Sequence, residues 1–408
     1  MTQQILSRTL GMGLLALIAV NPSVFAHGER ALEPFIRMRT IQWYDIAWSH
    51  TNLRVNDEVI LSGRFHVAED WPNAVAKPDS AFLNLAMPTP VFVRTGTYMN
   101  GVSVPNSVDL QLGADYEFKV TLKARIPGRY HIHPMMNLKD VGVIVGPGMW
   151  IEVTGVAADF RNEVTTVSGR TIDLETFGTR NGVLWHGIWL ALGAAWLLWW
   201  LRRPLFIPRY KLVQAGHEEA LITPTDRRIA IIGLGATLVL IAGAYAAVDS
   251  AYPETIPLQT GRTHVEPLPE SQRVGVKVKH ATYRVVERAL SLTLEVTNKA
   301  PQPIKLAELN TATVRFFNPE AGPVDLAYPE ELSARTGLRV ESNAPIAPGE
   351  IRTVQVTAAD AAWDLQKLST IIKDADSRVG ALLFFYDTLG ARYLSSISAS
   401  AVPVMGGG

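Results

Sequence analysis

The sequence predicts a mainly β protein with membrane helices, in which two β-sandwich domains are joined by a two-helix transmembrane hairpin. Three observations predict it. Two segments are apolar over enough residues to cross a bilayer, the regions flanking them alternate apolar and polar residues in short runs, and Pro- and Gly-rich turns separate those runs. A length of 408 residues leaves room for two or three domains, and 48% hydrophobic residues is high for a chain that lives wholly in water.

Residues 1–26 read as a signal peptide: Arg8 supplies a positive charge, 9–20 (TLGMGLLALIAV) an apolar stretch, Pro22 breaks it, and Val24 and Ala26 are small residues placed for cleavage. That stretch is too short for a comfortable span, and the mature chain would begin at His27. Residues 27–180 form the first outer β domain, with alternation over 55–67 and 116–124 and turns at 87–90 and 146–148. Residues 181–249 form the hairpin, with spans at 183–201 and 229–248. Each span has roughly 20 residues, matching an apolar core about 30 Å thick. Trp196, Trp199 and Trp200 sit near one end of the first, where an aromatic belt belongs. The loop at 202–228 carries Arg202, Arg203, Arg209, Lys211, Arg227 and Arg228, which places it in the cytoplasm and both flanking regions on the outer, periplasmic side. Residues 250–408 form the second outer β domain, with strand patterns over 274–298 and 351–357 and a short helix over 359–373.

Composition removes several functions. Lysine plus arginine and aspartate plus glutamate both number 38, so there is no basic footprint for nucleic acid. The chain has no cysteine, which excludes disulfides, Cys-ligated zinc and iron–sulfur clusters and leaves nitrogen and oxygen ligands, with methionine as a weak extra. There is no GxSxG, HExxH, P-loop or GxGxxG in a βαβ setting. GVIVGPGMW (142–150) is glycine-rich but sits among strands and reads as a turn.

The histidines carry the chemistry. His131 and His133, in RYHIHP, stand two apart on a strand, so both face one side about 6.7 Å apart and could converge on one metal ion. The competing reading is an accidental pair, one of them a core or surface residue. His27 adds weight, because as a mature N-terminus its α-amino group, with an ordinary pKa of about 7.7–8.0, could chelate together with its own imidazole. Such an all-nitrogen set suits copper best, with zinc as competitor. Glu29 could reach the same ion, although a solvated charge is the commoner role. His50 and His66 read as core or surface residues, and His217 as solvated. His186 lies inside the first span near its outer end, either functional or a hydrogen-bonded structural residue. His264 and His280 show no partner pattern.

Longer stretches carry a family likeness. HGER (27–30), MRTIQWYDI (38–46), FHVAEDWP (65–72), PGRYHIHPMMN (127–137), GPGMW (146–150), RRPLFIPR (202–209), YPETIPLQTG (252–261) and DAAWDLQKL (360–368) together resemble the B subunits of the copper-containing membrane monooxygenases, the family of particulate methane monooxygenase and ammonia monooxygenase. The likeness covers nearly the whole mature chain. It implies cupredoxin-like outer domains, association with membrane subunits A and C as a trimer of heterotrimers, and a copper site made by His27, His131 and His133. Some members use a histidine just before Trp-Tyr-Asp for a further copper; Gln42 stands there in this chain, which puts a second copper site in doubt. The implied reaction inserts one oxygen atom of O2 into methane or ammonia. QWYDI and ARIPGR resemble the ammonia branch, TAADAAW and GALLFFYD the methane branch, so the substrate stays open. With oxygenation in the C subunit, this chain would be a structural, copper-delivery or electron-relay subunit. A stand-alone membrane-tethered copper-binding protein is the contrasting reading.

Overall fold

The computed structural model describes residues 33–88, 90–254, 261–269, 273–373 and 377–406. The expected signal peptide and the expected start of the mature chain, with His27 and Glu29, lie outside the described residues. The chain divides into two compact units, Met1–Asp159 with Thr260–Gly408, and Phe160–Gln259.

The first unit holds two β-sandwiches. A short helix, α1 (Pro34–Arg39), precedes the first, whose strands are β1 (Ile41–Trp48), β2 (Asn52–Arg54), β3 (Glu58–Val67), β4 (Ala81–Ala86), β5 (Phe92–Met99), β6 (Val102–Ser103), β7 (Asp115–Ala124), β8 (Gly128–Leu138), β9 (Gly142–Val145) and β10 (Met149–Thr154). One sheet runs β1-β3-β7-β5-β6; the other runs β2-β10-β8-β4 with β9 also on β8. Alternation drives the packing. β7 buries Tyr116, Phe118, Val120, Leu122 and Ala124 and leaves the residues between them at least partly exposed. Trp43 lies against Phe65 and Phe118, with ring centroids 5.5 and 5.4 Å apart, at the centre of this core. The run expected as one strand over 55–67 is broken at its start. Asn56 takes a left-handed φ of 80° and the Asp57 carboxylate accepts from the Arg54 amide at 2.7 Å, so a turn separates β2 from β3.

The unit Phe160–Gln259 comprises a hairpin of β11 (Glu163–Thr165) and β12 (Thr171–Asp173), then α2 (Thr179–Leu201), α3 (Phe206–Gln214) and α4 (Pro224–Ala251). At 23 and 28 residues, α2 and α4 are long and apolar enough to cross a membrane. Side chains such as Leu190 and Val239 are 75% and 73% exposed, uncovered by protein, as a lipid-facing surface requires. Both helices overrun the expected spans. For α4 the cause is a capping box, in which the Thr223 hydroxyl accepts from the Asp226 amide and the Asp226 carboxylate accepts from the Thr223 amide, with Pro224 at the first turn. Asp226 also accepts from Trp199 Nε1 (2.9 Å) and Arg203 Nη2 (2.6 Å), which ties the end of α2 to the start of α4. The segment expected as a plain loop contains α3.

The second sandwich has strands β13 (Val274–Arg284), β14 (Ala289–Asn298), β15 (Ile304–Thr311), β16 (Val314–Phe317), β17 (Ser333–Ala334), β18 (Leu338–Val340) and β19 (Ile351–Ala359), a single-turn helix α5 (Ala362–Leu365), then β20 (Arg378–Asp387), β21 (Arg392–Ser400) and β22 (Val402–Val404). Its sheets run β18-β19-β14-β13-β22 and β17-β16-β15-β20-β21. The helix expected over 359–373 is shorter, because Lys367 adopts a left-handed φ of 57° and splits it into α5 and a 3₁₀ turn at Leu368–Lys373. The fold class expected from the sequence, two β domains and a helical hairpin, is the one observed.

The two sandwiches are joined closely. In α1, Ile36 belongs to the first core and Met38 to the second. Arg37 donates to the Gln366 carbonyl (2.8 Å) and Asn310 to the Trp43 carbonyl (3.0 Å). Asp70 takes hydrogen bonds from Arg378 (2.6 Å) and Ser398 and pairs with Arg39 (3.2 Å).

Candidate metal centre

β8 reads GRYHIHPMMNL. Ile132, Pro134, Met136 and Leu138 point into the core, and His131 and His133 therefore share the opposite, half-open face. Pro134 marks a change of partner: β8 pairs with β10 through Gly128–Ile132 and with β9 through Met135–Leu138. Proline has no N–H to give to a ladder, so it fits this gap. The Pro134 carbonyl instead accepts from the Gly146 amide at 2.8 Å, which draws the Gly146–Gly148 turn over the histidines.

The ring centroids of His131 and His133 are 4.5 Å apart and nearly perpendicular at 78°. His133 Nδ1 lies 2.9 Å from the Gly146 carbonyl oxygen, which can only accept, so in the neutral ring Nδ1 carries the proton and Nε2 is the nitrogen with a lone pair to offer. That Nε2 faces His131 Nδ1 at 3.2 Å. Two nitrogens each ~2.0–2.1 Å from one ion can stand at most about 4 Å apart, so the pair is close enough to share one. Burial, and then the neighbouring His133, push the His131 pKa below the ordinary imidazole value, while Glu331 pulls the other way. A neutral His131 is the form a metal needs. The turn leaves room for the rings: a Cβ on Gly148 would stand 2.5 Å from His133 Cε1 and 2.7 Å from His131 Nε2. On the outer side the Trp150 ring stacks on His131, centroids 4.8 Å apart and planes 30° apart. The donor chemistry and this cradle fit a nitrogen-preferring metal. Among the described residues no three His, Asp or Glu side chains form a metal site.

The remaining histidines separate by environment. His66, read as a core or surface residue, is 3% exposed; its Nδ1 contacts Asp115 Oδ1 at 3.2 Å, and its Nε2 has no partner among the described residues. It is the cross-strand partner of Gln42, whose amide donates to the Met38 carbonyl and whose Oε1 is likewise buried and unpartnered among the described residues. Both line a cavity of about 410 Å³ together with Arg39, Asp70, Arg378 and Ser398. No sequence signal linked residues 42 and 66; only the β1–β3 register does. His186 contacts the Gly182 carbonyl at 2.7 Å, one helical turn back, as a structural histidine would. His50 is exposed beside Ser49, and His217 is exposed near Glu219. His264, which showed no partner pattern in the sequence, sits between Asp109 and Glu266.

Two linked sandwiches, a pair of helices long and apolar enough to cross a membrane, and a close pair of imidazoles on the first β domain are the features that any assignment must account for. The chain belongs to the family of monooxygenase B-subunit proteins, whose model matches residues 28–405. It is 48% identical over 398 residues, 96% of each chain, to the particulate methane monooxygenase alpha subunit of Methylococcus capsulatus (strain Bath). Among solved structures it is similar to the cupredoxin domain of amoB from Nitrosocaldus yellowstonii, at 22% identity over 29% of this chain and 89% of that one, with a TM-score of 0.24. A cohesin module from a Clostridium perfringens glycoside hydrolase matches 28% of this chain and 98% of its own at 10% identity and a TM-score of 0.17. Likeness at these scores bears on neither activity nor ligand. Membership of a monooxygenase subunit family makes the chain one part of a multi-subunit oxidoreductase.

Proposed function

We propose that this chain is the copper-binding subunit of a membrane monooxygenase that oxidises methane or ammonia, with copper held by His131, His133 and the amino-terminal His27. The observation that carries this is the 3.2 Å approach of His133 Nε2 to His131 Nδ1 beneath Gly148, where a side chain would fill the space. Bound there, copper would supply a one-electron couple. The chain's own residues do the rest. Gly146 fixes the His133 tautomer, and burial keeps His131 neutral. The amine and ring of His27 complete an all-nitrogen set, and Glu29 stands close enough in sequence to contribute a carboxylate. Gln42 offers an amide oxygen where an imidazole would be needed, a poor exchange for a copper ligand, so the reading is one copper in this subunit.

The reaction proposed for the whole assembly is R–H + O2 + 2e⁻ + 2H⁺ → R–OH + H2O. The relative's name, methane monooxygenase, supports the substrate class. Oxygenation is assigned to a membrane subunit, because O2 and methane are apolar and partition to membrane depth, and neither span here carries a cluster of ligands. Membrane subunits A and C are the proposed partners, in a trimer of heterotrimers. The domain plan is a signal peptide to residue 26, outer domains over 27–180 and 250–408, and a hairpin over 181–249 whose basic loop is cytoplasmic.

The test is replacement of His131 and His133 by alanine in the assembled complex, followed by copper content and turnover. Loss of about one copper per chain is expected. Full copper retention would overturn the site. Turnover that survives the loss assigns this copper a structural or delivery role, and turnover that falls with it assigns an electron-relay or catalytic one.

A further inference from the structure

Trp150 is 51% exposed, a costly place for an indole. Alternation along β10 explains its direction, since Ile151 and Val153 occupy the core face. It does not explain why the exposed residue is tryptophan. Its surroundings do. Trp150 is the direct cross-strand partner of His131, its ring stacks on the imidazole, and Arg129 Cζ lies 4.6 Å from its centroid. Arg129, Trp150 and His131 thus contribute to one continuous stack. Two residues earlier, Gly148 lies over both imidazoles where a Cβ would collide with them.

We infer that Trp150 and Gly148 are positioning residues for the histidine pair. Trp150 fixes the plane of the His131 ring so that Nδ1 faces His133 Nε2, and Gly148 leaves both rings room to hold that orientation, since a Cβ there would press on His133 Cε1 and His131 Nε2. Arg129 anchors the indole by cation–π attraction while the same ring stacks on His131. A metal-bound imidazole gains affinity when its ring is held in the ligating orientation, and loss of such support typically weakens binding about 10–100-fold. The inference rests on the copper reading of the preceding subsection.

The test uses the processed chain beginning at His27, in detergent, with Cu(II) as the probe, a competing chelator to set free copper, and electron paramagnetic resonance to read the nitrogen couplings. Trp150→Leu removes the ring and is expected to weaken Cu(II) binding about tenfold and alter the couplings. Trp150→Phe keeps an aromatic face and should restore affinity to within about threefold of the unmodified chain. Gly148→Ala should weaken binding at least as much as Trp150→Leu. Unmodified affinity and spectrum in Trp150→Leu would overturn the inference, as would a Trp150→Phe variant no better than leucine. The His131→Ala/His133→Ala chain separates the two levels. If that chain still binds Cu(II) normally, the copper reading itself fails; if it does not, an unaffected Trp150→Leu defeats only the positioning role.

Discussion

β8 of the first sandwich and β20 of the second each lie inside a five-stranded sheet, yet they are written differently. β8 alternates, with Ile132, Pro134, Met136 and Leu138 inward and His131 and His133 on the open face. β20 reads RVGALLFFYD and is buried without a break from Val379 to Phe385. The reason is a second cover. Val379, Ala381, Leu383 and Phe385 pack into their own core, while Leu382 and Phe384 meet Tyr44 of the first sandwich. A strand with one face free can carry functional groups on it. A strand buried on both faces has become a joint, and its sequence turns into a continuous apolar run.

The largest effects should come from breaking the joint. Phe384, 1% exposed with its ring 5.8 Å from Tyr44, should cost about 3–5 kcal/mol when replaced by alanine. His131→Ala, on the open face of β8, should cost under about 1 kcal/mol while removing the proposed copper site. Thermal unfolding and copper content measured on both variants give opposite rankings if the two strands have the stated roles. Equal stability losses would erase the distinction.

The polar part of the joint is next in size. Burial pushes the Asp70 carboxyl up, but the Ser398 hydroxyl and the Arg39 and Arg378 guanidiniums outweigh it and hold it below the ordinary carboxylate range. Asp70→Asn removes the charge that Arg39, only 2% exposed, pairs with inside the first domain and that Arg378 meets from across the domain boundary. Because Asp70 itself is 35% exposed, a discounted loss of about 1–2 kcal/mol is expected. The pH dependence has a definite sign. A depressed folded-state pKa gives stabilisation that is complete above the ordinary value of about 3.9 and is lost as pH falls through the folded-state value. Acidification below about pH 4 should therefore destabilise the unmodified chain more than Asp70→Asn. Parallel acid-unfolding curves would show that Asp70 contributes nothing.

Much of this was legible in the sequence. The alternation of β7, the HxH of β8 and the two apolar spans each follow from a local period, and the structure keeps them. What a local period cannot show is which elements meet. Gln42 and His66 face each other only through the β1–β3 register, and α1 feeds two cores only because two sandwiches flank it. α3 escaped because nine residues, FIPRYKLVQ, mix apolar and basic side chains and bury none of them, so no core face imprints a period. Trp150 was visible only as the last letter of a glycine-rich turn, with nothing to say that His131 would be opposite. The splitting of the expected helix at Lys367 is a single-residue backbone event, too local for any pattern to register.

The smallest effect concerns a strap of chain after the hairpin. Thr263 and Leu268 donate their amides to the Ser107 and Asp115 carbonyls, and Val265, 1% exposed, joins the first core. Between them His264 places Nδ1 3.3 Å from Asp109 and Nε2 3.2 Å from Glu266. Hydrogen bonds donated to the Asp109 carboxylate and then to that of Glu266 raise its pKa above the ordinary imidazole value. A raised folded-state pKa means the contact is at full strength below about pH 6.5 and weakens as pH rises through the folded-state value. The site is open to water, so added salt should shrink the effect further. Amide exchange at Thr263, corrected for its intrinsic pH dependence, should lose protection over that rise in the unmodified chain and stay level in His264→Gln. Identical profiles would mean that the buried valine and the two backbone bonds hold the strap without help from the histidine.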